Sequence, residues 1–497
     1  MSPPPAQQHA PQPPPLELEK VPLFTLLTTY LSYAILILTG HIRDFFGILF
    51  NPTYYAFLSE QNGYAPIISQ FESLYTRRLY YRIRDCFSRP VTGVPGRTIN
   101  VLDRTTSDYN HTYHYTGTSH NALNLSSYNY LGFAQAQGHC ADAVESRVSS
   151  IGNAFSSPRM DAGTSALHQE VESCAAGFLG TEDAMVVSMG YATNSTTLPA
   201  LVGKGCLLIS DELNHASLVA GARLSGSVIR VFKHNNVHDL ERVLRDCIAQ
   251  GQPRTHRPWR KVLVVVEGLY SMEGDYCDLP RIVALKDKYK FYLYLDEAHS
   301  VGAMGPSGRG MCDYFGIPPS KVDILMGTFT KSFGAAGGYI AGSRALIQHL
   351  RTYSHSSIYA EPVSIPVLQQ TLTSLRIIAG LEGGSEGRER LDQLAWNSRY
   401  FHKHLRDLGF ILYGQNDSPV IPLLLFHPAK IGAFSRECLA RGVAVVVVSY
   451  PATPIITSRV RFCLSASHTK KDLDHAISII SEVGDLLRLK LLTPPAH

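Results

Sequence analysis

A chain of 497 residues, 45% hydrophobic and 17% charged, is long enough for a large core with a second, smaller unit, and it lacks the compositional bias of a disordered or fibrous protein. The formal net charge of +4 comes with no face-length run of Lys and Arg, which removes the electrostatic case for nucleic acid as a partner. The nine cysteines (Cys86, Cys140, Cys174, Cys206, Cys247, Cys277, Cys312, Cys438 and Cys463) are scattered, odd in number and free of any C-x-x-C pair. Neither a metal site nor a disulfide framework is expected, and reduced thiols facing the cytosol are the simplest reading.

In chain order, residues 1–20 form a Pro-rich leader, expected to be disordered. From Val21 to Gly40 the sequence VPLFTLLTTYLSYAILILTG carries no charge. As a helix rising about 1.5 Å per residue it covers roughly 30 Å, the thickness of a bilayer core. The preceding Glu17, Glu19 and Lys20 are not a basic flank and no small-residue cleavage site follows, so a removable signal peptide is not expected. Arg43, Arg77, Arg78, Arg82 and Arg84 lie on the far side, a basic excess that keeps that side cytoplasmic. Thr25, Thr28, Thr29 and Ser32 dilute the apolar run, leaving open a helix that lies on the membrane or one buried in the protein. Residues 41–120 read as an N-terminal arm with an aromatic stretch suited to a membrane surface.

From about Asn121 short apolar runs (AMVVSM, GCLLIS, SVIRVF, KVLVVVEG, FYLYLDEA, VDILMG) alternate with helical patterns such as LERVLRDCIAQ and RIVALKDKYK. Val- and Ile-rich runs with little polar alternation predict strands buried on both faces, hence an α/β fold with a mostly parallel sheet. Residues 121–385 are expected to form this large unit and residues 386–497 a smaller α+β unit.

Several motifs carry chemistry. In Gly327-Thr328-Phe329-Thr330-Lys331-Ser332-Phe333-Gly334, a lysine after an apolar strand, among hydroxyls and glycines, suits an imine-forming amine whose pKa desolvation depresses. Thr328, three residues earlier, can reach a phosphate; a surface-loop lysine is the alternative. Phe291 to Ser300 reads as a buried strand ending on Asp296, where α/β folds place ligands. A carboxylate there can hold a pyridine nitrogen protonated, and His299 is placed for the ring's phenolic oxygen. The D-E-A-H string of helicases is the rival reading, but no G-x-x-x-x-G-K-[ST] loop precedes it. Gly190 and Tyr191 stand at a strand-to-helix turn whose backbone N–H groups suit a phosphate; a plain turn is equally open. His215 is a candidate to stack on a cofactor ring and touch substrate, against a structural histidine. Ser271 offers a hydroxyl after another strand. Arg459 and Arg461 share one face of a strand. Arg461 is taken as the grip on a substrate carboxylate, a structural ion pair being the alternative.

Taken in order, these motifs resemble the α-oxoamine synthase family of fold-type-I pyridoxal 5'-phosphate (PLP) transferases. PALVGKG, SDELNHASLVAGARLSG, VEGLYSMEGD, MGTFTKSFGAAGGYIAG, VVVVSYPATP and RFCLSASHT are similar to the lysine-bearing subunits of that family's membrane-bound eukaryotic branch. The likeness runs from about residue 50 to the C-terminus. It implies Lys331 as the lysine that carries PLP, Asp296 at the ring nitrogen, His299 at the ring oxygen and His215 on the ring face. It also implies Ser271, Thr328, Gly190 and Tyr191 as further cofactor contacts and Arg461 on the amino-acid carboxylate. The implied fold is a mostly parallel seven-stranded sheet with a smaller C-terminal α+β domain. The implied reaction is decarboxylating condensation of L-serine with palmitoyl-CoA to 3-oxosphinganine, CoA and CO2. The implied setting is the endoplasmic reticulum membrane, in contact with membrane lipid. There the catalytic part faces the cytosol, paired with a homologous subunit that lacks the lysine, and Pro451-Ala452-Thr453-Pro454 forms a substrate-gating loop. The region before the apolar segment is short for this branch, so regulation carried there in relatives is not expected. A relative using another amino acid or acyl chain fits the same motifs. A glycine-using enzyme fits less well, having no role for a membrane helix. A non-catalytic scaffold would be expected to have lost Lys331.

Overall fold

The computed structural model describes residues 21–66, 68 and 70–492; the Pro-rich leader therefore lies outside the described residues. The main sheet is built from β1 (Asp183–Val187), β2 (Leu207–Asp211), β3 (Val228–Phe232), β4 (Val262–Glu267), β5 (Tyr292–Asp296), β6 (Ile324–Thr328) and β7 (Gly338–Gly342), in the order β1-β7-β6-β5-β4-β2-β3. All neighbours are parallel except β7, which runs antiparallel to both β1 and β6. The mostly parallel course is the one expected from the apolar runs, and seven strands is the number the family resemblance implies.

The two-residue period of a strand divides its side chains between two cores. Val264 and Val266 of β4 join one apolar cluster with Leu207, Ile209, Leu293 and Leu295, while Leu263 and Val265 join the other with Leu208 and Tyr294. Helices cover both faces, as strands that are apolar on both sides require. The helix Val237–Gln250 shows why: Val237, Leu240, Val243, Leu244 and Cys247 form one buried stripe, and the Asn236 side chain accepts from the Asp239 N–H at 3.0 Å to start it.

Two smaller sheets flank this unit. Val91–Thr92, Thr98–Thr105 and His114–Asn124 form an antiparallel set that Val443–Ala444 joins in parallel with His114–Asn124. Val420–Leu424, Arg459–Cys463 and Val446–Val448 form an antiparallel three-stranded sheet. No cysteine is in a disulfide.

The apolar helix runs from Leu23 to Phe50, ten residues past the expected end at Gly40. The sequence reading stopped short of a charged pair, Arg43-Asp44. The helix continues because Asp44 is fully buried and neutralised by two guanidinium groups, Arg77 (2.8 Å) and Arg78. A polar stripe docks it on the protein body: Thr28 and Ser32 on His427, Tyr33 on Ser458. Leu27, Leu31, Ile35, Leu38, Phe45, Leu49 and other large apolar side chains remain exposed.

Candidate active site

Four parallel strands deliver buried polar side chains to one edge of the main sheet: Asp211, Glu267, Asp296 and Thr328 are the last residues of β2, β4, β5 and β6. The carboxyl edge of an open α/β sheet is where ligands bind. Glu267 and Asp296 are register partners on adjacent strands.

Asp296 is held at both oxygens. Oδ2 accepts from Asn194 Nδ2 at 2.7 Å, and Oδ1 from the Ala298 N–H at 2.9 Å. Asn194 is oriented in turn by the Tyr294 hydroxyl (2.7 Å) and Ser217 Oγ (2.9 Å). The carboxylate is thus fixed in direction while retaining capacity for a further donor. Glu267 beside it accepts from the His215 N–H at 2.5 Å. Burial, then the neighbouring Asp296 charge, pushes its carboxyl well above the usual range.

His299 is buried, with Nδ1 2.8 Å from the Tyr130 hydroxyl and the Tyr128 ring edge-on at 4.9 Å. Burial, reinforced by Lys331, Arg461 and His215, pushes its imidazole well below the ordinary value. Lys331 follows β6 by three residues, and its Nζ stands 5.5 Å from the Tyr128 ring. Burial pushes its ammonium down to about 8, outweighing the pull of Asp296 and Glu267 the other way. Partly buried His215 starts the helix Ala216–Ser225, its Nδ1 accepting from the Ser217 N–H at 3.2 Å, with the Tyr191 ring edge-on at 6.2 Å.

Gly190 opens the helix Gly190–Leu201 against β6. A Cβ at this position would come within 2.9 Å of Thr328 Oγ1, so glycine is what lets the helix start approach that strand. Thr328 Oγ1 donates to the Gly337 carbonyl at 2.8 Å and lies 2.9 Å from Thr330 Oγ1.

The two arginines of Arg459–Cys463 differ in kind. Arg459 is satisfied: it donates to the carbonyls of Thr457 (2.8 Å) and Met272 (2.6 Å) and pairs with Glu273 at 3.2 Å. Arg461 is 7% exposed, faces the Tyr128 ring at 4.5 Å, reaches the Met272 sulfur at 3.6 Å and lies against the Tyr128 hydroxyl and the Cys463 thiol. Its Nε has no partner and no carboxylate pairs with it among the described residues.

The sequence-predicted residues Lys331, Asp296, His299, His215 and Arg461 therefore converge, with Gly190, Tyr191 and Thr328 at the adjoining helix start. The Ser271 side chain makes no hydrogen bond among the described residues, and its neighbour Met272 touches Arg461. Sequence reasoning missed Tyr128, Tyr130, Asn194 and Glu267. Glu267 lies inside the quoted VEGLYSMEGD, and Asn194 stands four residues past Gly190. The two tyrosines sit in SSYNYLGF, about 170 residues from His299, where no spacing rule reaches.

This arrangement, a cooled lysine beyond a strand end facing a fixed carboxylate across a mostly parallel seven-stranded sheet, defines a fold-type-I PLP-dependent transferase. The family model for aminotransferase class I and II matches residues 120–480. Serine palmitoyltransferase 2 of Schizosaccharomyces pombe is 55% identical over 95% of this chain and 78% of its own length. Long chain base biosynthesis protein 2a of Arabidopsis thaliana is 49% identical over 95% and 96% respectively. A solved structure of serine palmitoyltransferase from Sphingomonas wittichii superposes with a TM-score of 0.74 at 28% identity, covering 85% of this chain and 99% of the other. A further one with the same TM-score, identity and coverage is described as SPT with a PLP internal aldimine. The chain belongs to the aminotransferase class I and II family and, within it, to the serine palmitoyltransferase 2 family.

PLP is the cofactor of this family, and the residues present fit it. An amine of lowered pKa, a fixed carboxylate with acceptor capacity to spare, a neutral imidazole beside a tyrosine and a helix start kept open by Gly190 match its aldehyde, ring nitrogen, ring oxygen and phosphate.

Proposed function

We propose that this chain catalyses the condensation of L-serine with palmitoyl-CoA, releasing CO2 and CoA and giving 3-oxosphinganine, the entry reaction of sphingolipid long-chain base synthesis. The observation that carries the amino-acid half is Arg461, a buried guanidinium with no carboxylate of its own. A buried cation left unpaired costs several kcal/mol, about the magnitude a carboxylate ligand would recover.

PLP supplies an electron sink for negative charge developing at the amino acid's α-carbon. The protein's part is positioning and proton handling. Arg461 orients serine through its carboxylate. Lys331 Nζ, neutral in a substantial fraction near pH 8, takes the α-proton. Asp296, fixed by Asn194 and the Ala298 N–H, holds the ring nitrogen in its protonated form. His299 with Tyr130 bonds the ring oxygen. His215, anchored through its N–H to Glu267, lies against the ring and the substrate. Gly190, Tyr191, Thr328 and Ser271 complete the cofactor's polar contacts. We take residues 121–385 as the cofactor-binding unit and residues 386–497 as the smaller unit that brings in Arg461.

Residues Leu23–Phe50 attach the chain to a membrane in this reading. Their contacts run from Thr28 to Asp44, about 24 Å of helix at the standard rise, and are polar. Such a stripe is costly inside hydrocarbon, so the helix lies along the bilayer surface beside the body rather than crossing it. Its exposed apolar side chains and the arginines beyond it support a cytosolic catalytic face, and we take the membrane as that of the endoplasmic reticulum and the partner as a lysine-lacking homologous subunit. The test is product analysis by mass spectrometry after co-expression with such a subunit and feeding of labelled serine and palmitoyl-CoA. Labelled 3-oxosphinganine absent from a Lys331→Ala control is the expected result. PLP absorbance without that product would move the reading to another acyl donor or amino acid.

A further inference from the structure

A second concentration of charge lies at the far half of the apolar helix, well away in sequence from the motifs above. A cavity of about 300 Å³ opens between that helix, residues 77–82 and the loop at 109–111, and Arg43, Arg77, Arg78 and Arg82 line it. Among the described residues, four guanidinium groups line this cavity and one carboxylate, Asp44, meets two of them. Asp44 takes Arg77 at 2.8 Å and Arg78 through Nε at 2.8 Å. The next carboxylate, Asp85, is committed to Arg436 by two bonds of 2.7 Å. Arg43 and Arg82 have no ion-pair partner among the described residues.

The opposite wall is built rather than loose. Tyr81 stacks on His111 with ring centroids 4.2 Å apart, and Arg84 donates to the carbonyls of Asn110 (3.2 Å) and His111 (2.9 Å). Asn110 Nδ2 donates to the Tyr81 carbonyl at 2.9 Å. Tyr109 and Asn110 both hold positive φ, 56° and 69°, a conformation non-glycine residues adopt only when their surroundings impose it. On the same helix as Arg43, Ile42, Phe45, Phe46 and Leu49 are exposed.

Unbalanced guanidinium groups at close range repel one another, and an anion presenting several oxygens relieves this through forked hydrogen bonds. Basic pockets beside membrane-embedded helices recognise anionic lipid headgroups. We propose that this cavity binds the phosphate of an anionic phospholipid headgroup, gripped by Arg43 and Arg82, while the flanking aromatic and aliphatic side chains enter the acyl layer of the same leaflet. The inference rests on the membrane-surface reading of Leu23–Phe50 and gives it a lipid preference. A soluble phosphoester is the other source of the same chemistry.

The test uses the full chain with its cofactor bound, floated with phosphatidylcholine vesicles and with vesicles in which part of the lipid is phosphatidic acid. Recovery on the acidic vesicles should exceed that on neutral ones by about thirtyfold, the attraction of two arginines to an anionic surface. The double variant Arg43→Ala/Arg82→Ala should fall to the neutral-vesicle value with its PLP absorbance unchanged. Removal of two exposed lysines elsewhere, Lys403→Ala/Lys471→Ala, should keep most of the excess. An excess undiminished in the arginine variant, or lost equally in the lysine variant, would overturn the pocket. Complete suppression by glycerol 3-phosphate at matched phosphate concentration would overturn the lipid as occupant. Failure to float on either vesicle would overturn the membrane reading itself and the proposal with it.

Discussion

Arg459 and Arg461 stand two residues apart on one strand, and their surroundings give them opposite energetics. Arg459 is buried against Glu273 and two carbonyls. Arg459→Ala strands a buried carboxylate, and the cost of breaking such a pair, about 3–5 kcal/mol, should appear as a lowered Tm and poor soluble yield. Arg461→Ala removes a cation with no carboxylate to leave behind. It should leave Tm unchanged or raise it, while the KM for serine rises at least about tenfold, about 1.4 kcal/mol. Equal loss of Tm in both variants would remove the substrate role of Arg461. Lys331 offers a titration. Its folded value of about 8 lies below the ordinary 10.5 because burial penalises the ammonium, so the reactive neutral amine accumulates as pH rises toward 8. The rate at which the cofactor-free chain takes up PLP, followed by absorbance, should climb with pH and level off above about 8. Asp296 is the largest charge holding that value up. Asp296→Asn should move the limb to lower pH and cut turnover severely; an unmoved limb would mean that the two groups do not interact.

At the scale of elements, the helix Leu23–Phe50 is where local reading and tertiary structure diverge. An apolar run without charges reads as a span, and here that reading ends at Gly40. Burial of Asp44 between Arg77 and Arg78, partners more than thirty residues away, carries the helix onward and ties its polar stripe to the body. A helix docked along its length leaves both its ends on the side of the membrane where the body sits. An epitope placed ahead of Val21 should therefore be accessible to protease from the cytosolic face of sealed microsomes, together with the catalytic part. Protection of that epitope until detergent is added would establish a crossing helix instead. Asp44→Ala, which removes the carboxylate that Arg77 and Arg78 share, should speed cleavage between residues 51 and 66 without changing the PLP absorbance.

At the scale of the molecule, the sheet and the cofactor face were legible because each depends on a short run. β2, β4, β5 and β6 are apolar segments ending in a polar residue, and that residue is what reaches the carboxyl edge. Legibility fails where a role depends on contacts between distant segments: Tyr130 on His299, Asn194 on Asp296, or the register of Val443–Ala444 beside His114–Asn124. His234 belongs to this second class. Its ring lies between Asp211, at 2.9 Å, and Asp275, at 3.1 Å, and so joins the end of β2 to the turn that carries Ser271 and Met272. Burial alone would lower its value, but the bonds to Asp211 and then Asp275 prevail and push it up to about 10. A folded value raised above the unfolded 6.5 means that stabilisation is complete below about pH 6.5 and is lost as pH rises through about 10. Thermal unfolding of the holoenzyme should therefore show Tm falling between about pH 6.5 and 10. In His234→Gln, which keeps hydrogen bonding without the charge, Tm should be lower at neutral pH and nearly flat across that range. Parallel curves for the two proteins would mean that the ring does not carry its charge between those carboxylates, and that the turn bearing Met272 against Arg461 is held by its other bonds, the Arg459–Glu273 pair among them.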